Sequence, residues 1–455
     1  MLRVAVVGSG PSGCYTAQSL VQQDAEVRVD VLDRLPCPYG LVRYGVAPDH
    51  EKIKSLQGAL RTVLEHERVR FLGGVPVGPG GVPADLLRRL YHAVVYCVGA
   101  AADRRLGVPG EDLPGSWPAT EFVSWYSAHP DAADGGYVRG ARTAVVVGMG
   151  NVAVDVVRIL ARGAAELSGT DMPEAALRAL AAGRVREIHM VGRRGPSQAR
   201  FTTKELRELG ALPDTEVLAD PAEAALDPAY RDPSALPAAA RRNVEVVRGW
   251  AAAASGAVTG RPGRATRRIR LRFHLRPVEL LARAGRVGAV RFERTVPDGD
   301  GGVTGTGRYE EIEAQLVLRS VGYRGVAPQG LPFDTANGTV PHLAGRVVRA
   351  GAVVPGVYVA GWIKRGPTGV IGTNRPCAKE TVTSLLADAG LLAGADVPGG
   401  DPLTALRAEG VEPVEWAGWR AIERAEAELG AALGRTVVKL PDWESLLTAA
   451  RAGSR

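Results

Sequence analysis

No CxxC pair occurs in this 455-residue chain, and its four cysteines, Cys14, Cys37, Cys97 and Cys377, stand far apart. That spacing excludes a redox dithiol of the thioredoxin type and leaves no cysteine cluster for an iron–sulfur centre. No metal site is expected. Long apolar runs are also missing: none approaches the roughly 18–20 residues needed to span a bilayer. No basic-then-apolar leader precedes the first strand, which starts near Arg3, so a cytoplasmic protein is expected. Nor is there a long unbroken Lys/Arg run, although the net charge is +7. Nucleic acid is therefore not the expected partner, and anionic cofactors or an acidic protein account better for the excess. Repeats and low-complexity tracts are absent. What remains is 45% hydrophobic and 23% charged, ordinary for a globular protein long enough for two or more domains.

The organising stretch is residues 3–33. Val4 to Val7 reads as a buried parallel strand. Gly8-Ser9-Gly10-Pro11-Ser12-Gly13 follows, with glycine at the three positions of GxGxxG. Gly8 allows the tight turn, Gly10 lets a pyrophosphate approach the backbone, and Gly13 lets the next helix pack close to the sheet. A second strand, Val27 to Leu32, ends in Asp33, where a carboxylate can accept from a ribose hydroxyl. The Pro- and Gly-rich segment 35–50 reads as irregular chain able to cover a cofactor.

The pattern recurs once. Strand Thr143 to Val147 leads into Gly148-Met149-Gly150-Asn151-Val152-Ala153, a GxGxxA turn, and an amphipathic helix. The next strand, Val185 to Val191, ends in Gly192-Arg193-Arg194 rather than in an acid. An acid would repel a 2′-phosphate, whereas guanidinium forks bind it in charge-assisted pairs. The second site should therefore prefer NADPH to NADH. Thr202-Thr203-Lys204-Glu205 fits a capping box, which offers Glu205 a purely structural role. From residue 243 the pattern reads as β. Arg268, Arg270, Arg272 and His274 alternate with apolar Ile269, Leu271, Phe273 and Leu275, predicting a half-buried strand with a basic outer face. That face is either solubilising or a landing surface for an acidic protein. Trp416, Trp419 and Trp443 read as packing anchors in a helical tail.

One acid-bearing and one arginine-bearing site imply two different dinucleotides, FAD and NADPH. Such a pair serves hydride transfer from nicotinamide C4 to flavin N5, after which electrons can leave singly. The acceptor stays open at this point: an external one-electron carrier, oxygen or a small organic molecule. The alternative to a carrier is an NADPH-dependent flavin monooxygenase or small-molecule oxidoreductase; a flavoprotein that only binds is a further one.

The strings GSGPSG (8–13), YGLVRYGVAPDH (39–50), GMGNVAVDVVRIL (148–160), VGRRGP (191–196), FTTKELRE (201–208), RSVGYRG (319–325) and GWIKRGPTGVIGTN (361–374) together resemble the adrenodoxin reductase family, over the whole chain. The likeness is strongest to its bacterial NADPH–ferredoxin reductases. The resemblance implies an α/β fold of two dinucleotide-binding, Rossmann-like domains, glutathione-reductase-like, with an NADP domain inserted into an FAD domain. The implied division is 1–102 and 320–455 for FAD and 103–319 for NADP. It implies a ferredoxin–NADP⁺ reductase whose partner is an acidic iron–sulfur ferredoxin. It places FAD at Gly8, Gly10, Ser12, Gly13, Asp33, Leu41, Val77, Trp362, Gly369, Val370 and Ile371. It places NADP at Gly148, Gly150, Asn151, Val152, Ala153, Arg193, Arg194, Glu205 and Gly369, with Arg104 a further position. His50 and Glu208 match positions near the flavin and nicotinamide and are the candidate catalytic residues, for proton handling. Asp33 stands where relatives usually carry Glu, and Arg200 adds a third cation before FTTKELRE. The basic segment that docks the ferredoxin in animal members has no clear counterpart here, and Arg241, Arg242 and the basic strand face are the candidate substitutes.

Overall fold

The computed structural model describes residues 1–133, 136–254, 266–394, 397 and 399–453. The chain divides into two compact units. One comprises Met1–Ala102, Ser127–Asp131 and Gly322–Arg455, the other Asp103–Tyr126 and Ala132–Val321.

The first unit opens with β1 (Arg3–Val7), α1 (Pro11–Gln23), β2 (Arg28–Leu32), β3 (Val69–Leu72) and β4 (Ala93–Tyr96). Strands Ala352–Val359, Arg346–Arg349 and His342–Leu343 complete a seven-stranded sheet. β1 lies between β2 and β4, parallel to both, and Ala352–Val359 pairs in parallel with β4. Both faces of β1 are buried. Val4 and Val6 meet Ala17 and Leu20 of α1, while Ala5 and Val7 join the other core with Leu87 and Leu406. This is why the strands read as continuous apolar runs.

The tail closes one face through its tryptophans, as the sequence predicts. Trp419 meets Tyr39 edge-on at 5.9 Å, Trp416 meets Phe71 at 6.2 Å, and Trp443 donates to Asp131 at 2.7 Å. Beneath the segment 39–50, buried Arg43 donates to buried Glu426 at 2.5 Å. Lys439 donates to the Arg43 carbonyl at 2.6 Å. A buried charge that loses its partner is costly. Glu426→Gln should therefore destabilise this unit by roughly 1.5–3 kcal/mol, the worth of a hydrogen bond to a charged group. The check is the first urea transition followed by tryptophan fluorescence; an unmoved midpoint contradicts it.

The second unit contains β5 (Ser116–Pro118), β6 (Thr143–Val147), α2 (Asn151–Ala161), β7 (Glu187–Val191), α3 (Thr203–Gly210), β8 (Thr215–Ala219), α4 (Ala238–Ala254) and β9 (Arg267–Arg272). Then come β10 (Leu275–Arg283), β11 (Arg286–Pro297), β12 (Val303–Glu313) and β13 (Leu316–Arg319). One sheet runs β5-β13-β6-β7-β9-β8, and β10-β11-β12 form a separate antiparallel sheet.

One expectation fails here and another is only half met. The chain from 243 is not β: α4 continues to Ala254 and buries Val244, Val247 and Ala251, a helical spacing. The half-buried basic strand is present, with Ile269 and Leu271 buried, Arg268 exposed and Arg270 and Arg272 half-buried, but its charges are not free. β9 lies between β7 and β8, so its arginines meet carboxylates from neighbouring segments. Arg268 pairs with Glu216 at 2.8 Å, Arg270 with Glu187, and Arg272 with Glu223 at 2.6 Å and with Glu310. The alternation also stops early, because His274 has φ 55 and turns the chain out of the strand.

His189 on β7 is buried, and its Nδ1 has no hydrogen-bond partner. Burial, then repulsion by Arg272 and Arg270, lowers its pKa to about 4. A depressed histidine pKa means that the unfolded chain binds the extra proton first. Stability is therefore fully present above about pH 6.5 and falls as pH drops toward 4. The loss is on the order of 3 kcal/mol at 1.36 kcal/mol per pKa unit. His189→Gln should flatten denaturation midpoints across that window; a slope unchanged from the parent contradicts the assignment.

Candidate functional site

In each sheet the strand before the glycine-rich turn has later strands on both sides, β2 and β4 around β1 and β7 and β13 around β6. Such a switch point opens a crevice at the carboxyl ends of the strands, where open α/β sheets bind ligands. Each glycine-rich turn lies at that point in its own unit. The two are hydrogen-bonded alike. Gly8 N–H donates to the Leu32 carbonyl at 2.7 Å, and Gly148 N–H to the Val191 carbonyl at 2.9 Å. Both glycines have positive φ, +108° and +148°. A Cβ on Gly8 would come within 2.6 Å of the Cys97 carbonyl oxygen, and one on Gly148 would collide with that of Ser320.

The two turns differ at their third small residue. A Cβ on Gly13 would collide with the Gly8 carbonyl oxygen. In the second turn the same position is Ala153, whose methyl is accommodated in the core.

In the first unit, α1 starts at Gly10 and Pro11 with no side-chain cap, so its first N–H groups point outward unclaimed by a side chain. Ser12 Oγ is buried there without a hydrogen-bond partner. Gly361 packs against Ser12 so closely that a Cβ would strike the hydroxyl. The later string 361–374 is thus brought to the first turn. Gly40 reaches it from the other side: a Cβ there would lie 3.0 Å from Gly10 Cα. Val77 lines a cavity of ≈ 180 Å³ with Val7, Tyr96 and Gly99. Leu41 and Val370 expose apolar side chains, and the Trp362 ring lies 5.4 Å from Tyr323. Gly369 has φ +80 and Ile371 begins a short 3₁₀ turn. His50, buried, precedes the helix Glu51–Lys54.

Asp33 does more than wait for a ribose. Its Oδ2 accepts from Ser9 N–H at 2.8 Å and Ser9 Oγ at 2.5 Å, and its Oδ1 from Leu35 N–H at 2.9 Å. Burial pushes its carboxyl up from the ordinary range, against those three donors. A carboxylate has about four acceptor positions, so one remains for a ligand.

In the second unit, α2 also lacks a side-chain cap at Gly150. Asn151 Oδ1 accepts from Thr202 N–H at 2.8 Å, joining the turn to the start of α3; Val152 follows, half-buried against the core. At the end of β7, Arg193 and Arg200 are exposed and Arg194 is half-buried. Burial first, then the charges of Arg193 and Arg200, lower the Arg194 pKa. Among the described residues no carboxylate pairs with any of the three. Arg104 is exposed in the same unit.

The capping reading of Glu205 is half right. Thr202 caps α3 through Glu205 N–H at 3.3 Å. The Glu205 carboxylate does not return the bond; it goes to Arg158 at 3.3 Å. Arg158 is wholly buried and also pairs with Glu208 at 3.3 Å and Asp155 at 2.9 Å. Sequence reasoning missed Arg158, because it stands inside an otherwise apolar helical pattern. The four thiols are free and buried.

Paired nucleotide-type turns of opposite charge define a pyridine-nucleotide-linked oxidoreductase. Residues 2–193 match the model of the pyridine nucleotide-disulphide oxidoreductases. NADPH-ferredoxin reductase FprA of Mycobacterium tuberculosis is 44% identical, over 98% of each chain. The mitochondrial NADPH:adrenodoxin oxidoreductase of Arabidopsis thaliana is 38% identical, over 99% of this chain and 95% of that one. The structure of Mycobacterium tuberculosis FprA in complex with NADPH superposes with a TM-score of 0.90 at 42% identity, covering 99% of both chains. The chain belongs to the adrenodoxin reductase family, with the FprA-type NADPH–ferredoxin reductases.

Proposed function

We propose that this protein is an NADPH–ferredoxin reductase that holds FAD on its first unit, the FAD domain, and NADPH on the second, an inserted NADP domain. When bound, FAD accepts a hydride from the nicotinamide and lets the electrons leave one at a time, which neither the side chains nor a nicotinamide can do. The carrying observation is the inversion of charge at equivalent strand ends: Asp33 after β2, against Arg193, Arg194 and Arg200 with no acid after β7.

In this reading the uncapped start of α1 and the Ser12 hydroxyl hold the flavin dinucleotide's pyrophosphate, with Gly8, Gly10 and Gly13 clearing its path. Asp33 takes a ribose hydroxyl at its remaining acceptor position. Leu41, Val77, Trp362, Gly369, Val370 and Ile371 cover the ring system and exclude water. Gly148, Gly150, Asn151, Val152 and Ala153 form the second cradle. Arg193 and Arg194 clamp the 2′-phosphate with Arg200 beside them, and Arg104 lies near the same nucleotide. Glu205 orients the nicotinamide end on the second unit. Glu208 and His50 handle protons, and Arg158 fixes the Glu205 and Glu208 carboxylates.

The ferredoxin partner is acidic in this reading. Exposed Arg241 and Arg242 on α4 and the net charge of +7 support that. Arg268, Arg270 and Arg272 are already neutralised by carboxylates and do not contribute. No helix among the described residues is long and apolar enough to cross a membrane. The free buried thiols favour a cytoplasmic setting. Purification tests the reading: the protein should be yellow and pass electrons from NADPH through ferredoxin to cytochrome c. A colourless protein, or no dependence on ferredoxin, contradicts it.

A further inference from the structure

The segment 192–197, which carries the two arginines, is held almost entirely from outside β7. Thr295 on β11 is fully buried, and its Oγ donates to the Arg193 carbonyl at 2.8 Å. The next carbonyl, that of Arg194, accepts from His274 N–H at 3.4 Å, and Gly192's from Leu275 N–H at 3.1 Å. Thr295 N–H in turn donates to the His274 carbonyl at 2.9 Å. His274 reaches these partners only because its backbone is left-handed, at φ 55. Such conformations persist where the surroundings over-determine them. The tip of the β11–β12 hairpin returns to the same place: Arg194 Nη1 donates to the Gly301 carbonyl at 3.5 Å. On the far side, the buried Asp227 carboxylate accepts from Ser197 N–H at 2.8 Å.

We infer that the antiparallel sheet β10–β12 is a specificity arm, with Thr295 and the 298–302 turn as positioning elements that set the aim of Arg193 and Arg194. The inference rests on the reading that those arginines bind a 2′-phosphate. A two-pronged guanidinium clamp depends on geometry, so anything that fixes its backbone sharpens discrimination without touching the ligand. Among the described residues the hydrogen bonds of Thr295 outside its own sheet go to the arginine segment and to the His274 turn that supports it, not to Gly148–Ala153, so the effect should fall on the phosphate-bearing ligand alone.

The test is calorimetric binding of 2′,5′-ADP and of 5′-ADP to the full-length flavoprotein. Thr295→Val should weaken 2′,5′-ADP about fivefold, the size of one lost neutral hydrogen bond, and leave 5′-ADP unchanged. Thr295→Ser keeps the hydroxyl and should restore 2′,5′-ADP binding even though it removes a buried methyl group. Should Thr295→Val not fold, a second variant replaces residues 298–302 by an Asn-Gly turn, which preserves a hairpin and removes the Gly301 carbonyl. That variant should weaken 2′,5′-ADP selectively as well. Equal changes for both ligands, or no rescue by serine, overturn the inference. The Arg193→Ala/Arg194→Ala protein separates the two claims. If it loses 2′,5′-ADP while both arm variants keep it, only the arm is wrong. If it keeps 2′,5′-ADP, the arginine reading fails and the arm with it.

Discussion

Replacing Arg193 and Arg194 together by alanine should lower kcat/KM for NADPH by ~10²–10⁴-fold. The estimate comes from two charge-assisted hydrogen bonds of about 1.5–3 kcal/mol each, at 1.36 kcal/mol per tenfold. The lower end is expected, because Arg200 stays in the same field. For NADH, which lacks the 2′-phosphate, the change should stay within a few-fold. Removing two of three mutually repelling cations also relieves the pressure on Arg200, so stability should not fall. Steady-state kinetics at low and high salt read the effect. The NADPH preference should shrink with ionic strength in the parent and hardly at all in the variant. Equal losses for both nucleotides would mean that these guanidinium groups do not discriminate between them.

Gly13→Val should abolish retention of flavin. The new Cβ collides with the Gly8 carbonyl oxygen, and Val6 Cγ1 lies 3.3 Å away. Helix α1 must then move off β1, taking the first-turn N–H groups and Ser12 with it. The second turn supplies an internal control. Ala153 already occupies the corresponding position, so Ala153→Gly should cost only about 1 kcal/mol of helix propensity and leave NADPH binding intact. The flavin-to-protein absorbance ratio after gel filtration measures the first effect, and far-ultraviolet circular dichroism separates it from global unfolding. A fully yellow Gly13→Val protein would contradict the close packing of α1 on the turn.

Both glycine turns were legible in the sequence because a hard steric constraint stands behind each one. Only glycine tolerates the φ of Gly8 and Gly148, and only a small residue fits beneath α1 or α2. Charge partners were not legible, because they come from distant segments. Arg272 looked like part of a solvated stripe, but Glu223 and Glu310 meet it from 49 and 38 residues away. Glu205 fitted a capping box by spacing, yet a buried Arg158 47 residues earlier took its carboxylate. Segment 243–254 misled for another reason. Its valines favour strands locally, but Val244, Val247 and Ala251 share one helical face that the core of the second unit can bury. The support of the arginine segment by Thr295, 102 residues away, left no sequence signal at all.

The most direct test of the account is the electron stoichiometry of the purified protein under anaerobic conditions. NADPH is added to the yellow enzyme with an excess of oxidised ferredoxin, and both are followed spectrally. A hydride entering as a pair and electrons leaving singly predict twice as many ferredoxin molecules reduced as NADPH molecules oxidised, with NADH far slower. A flavin that bleaches equally fast with NADH, or NADPH oxidation that leaves ferredoxin oxidised, would contradict it.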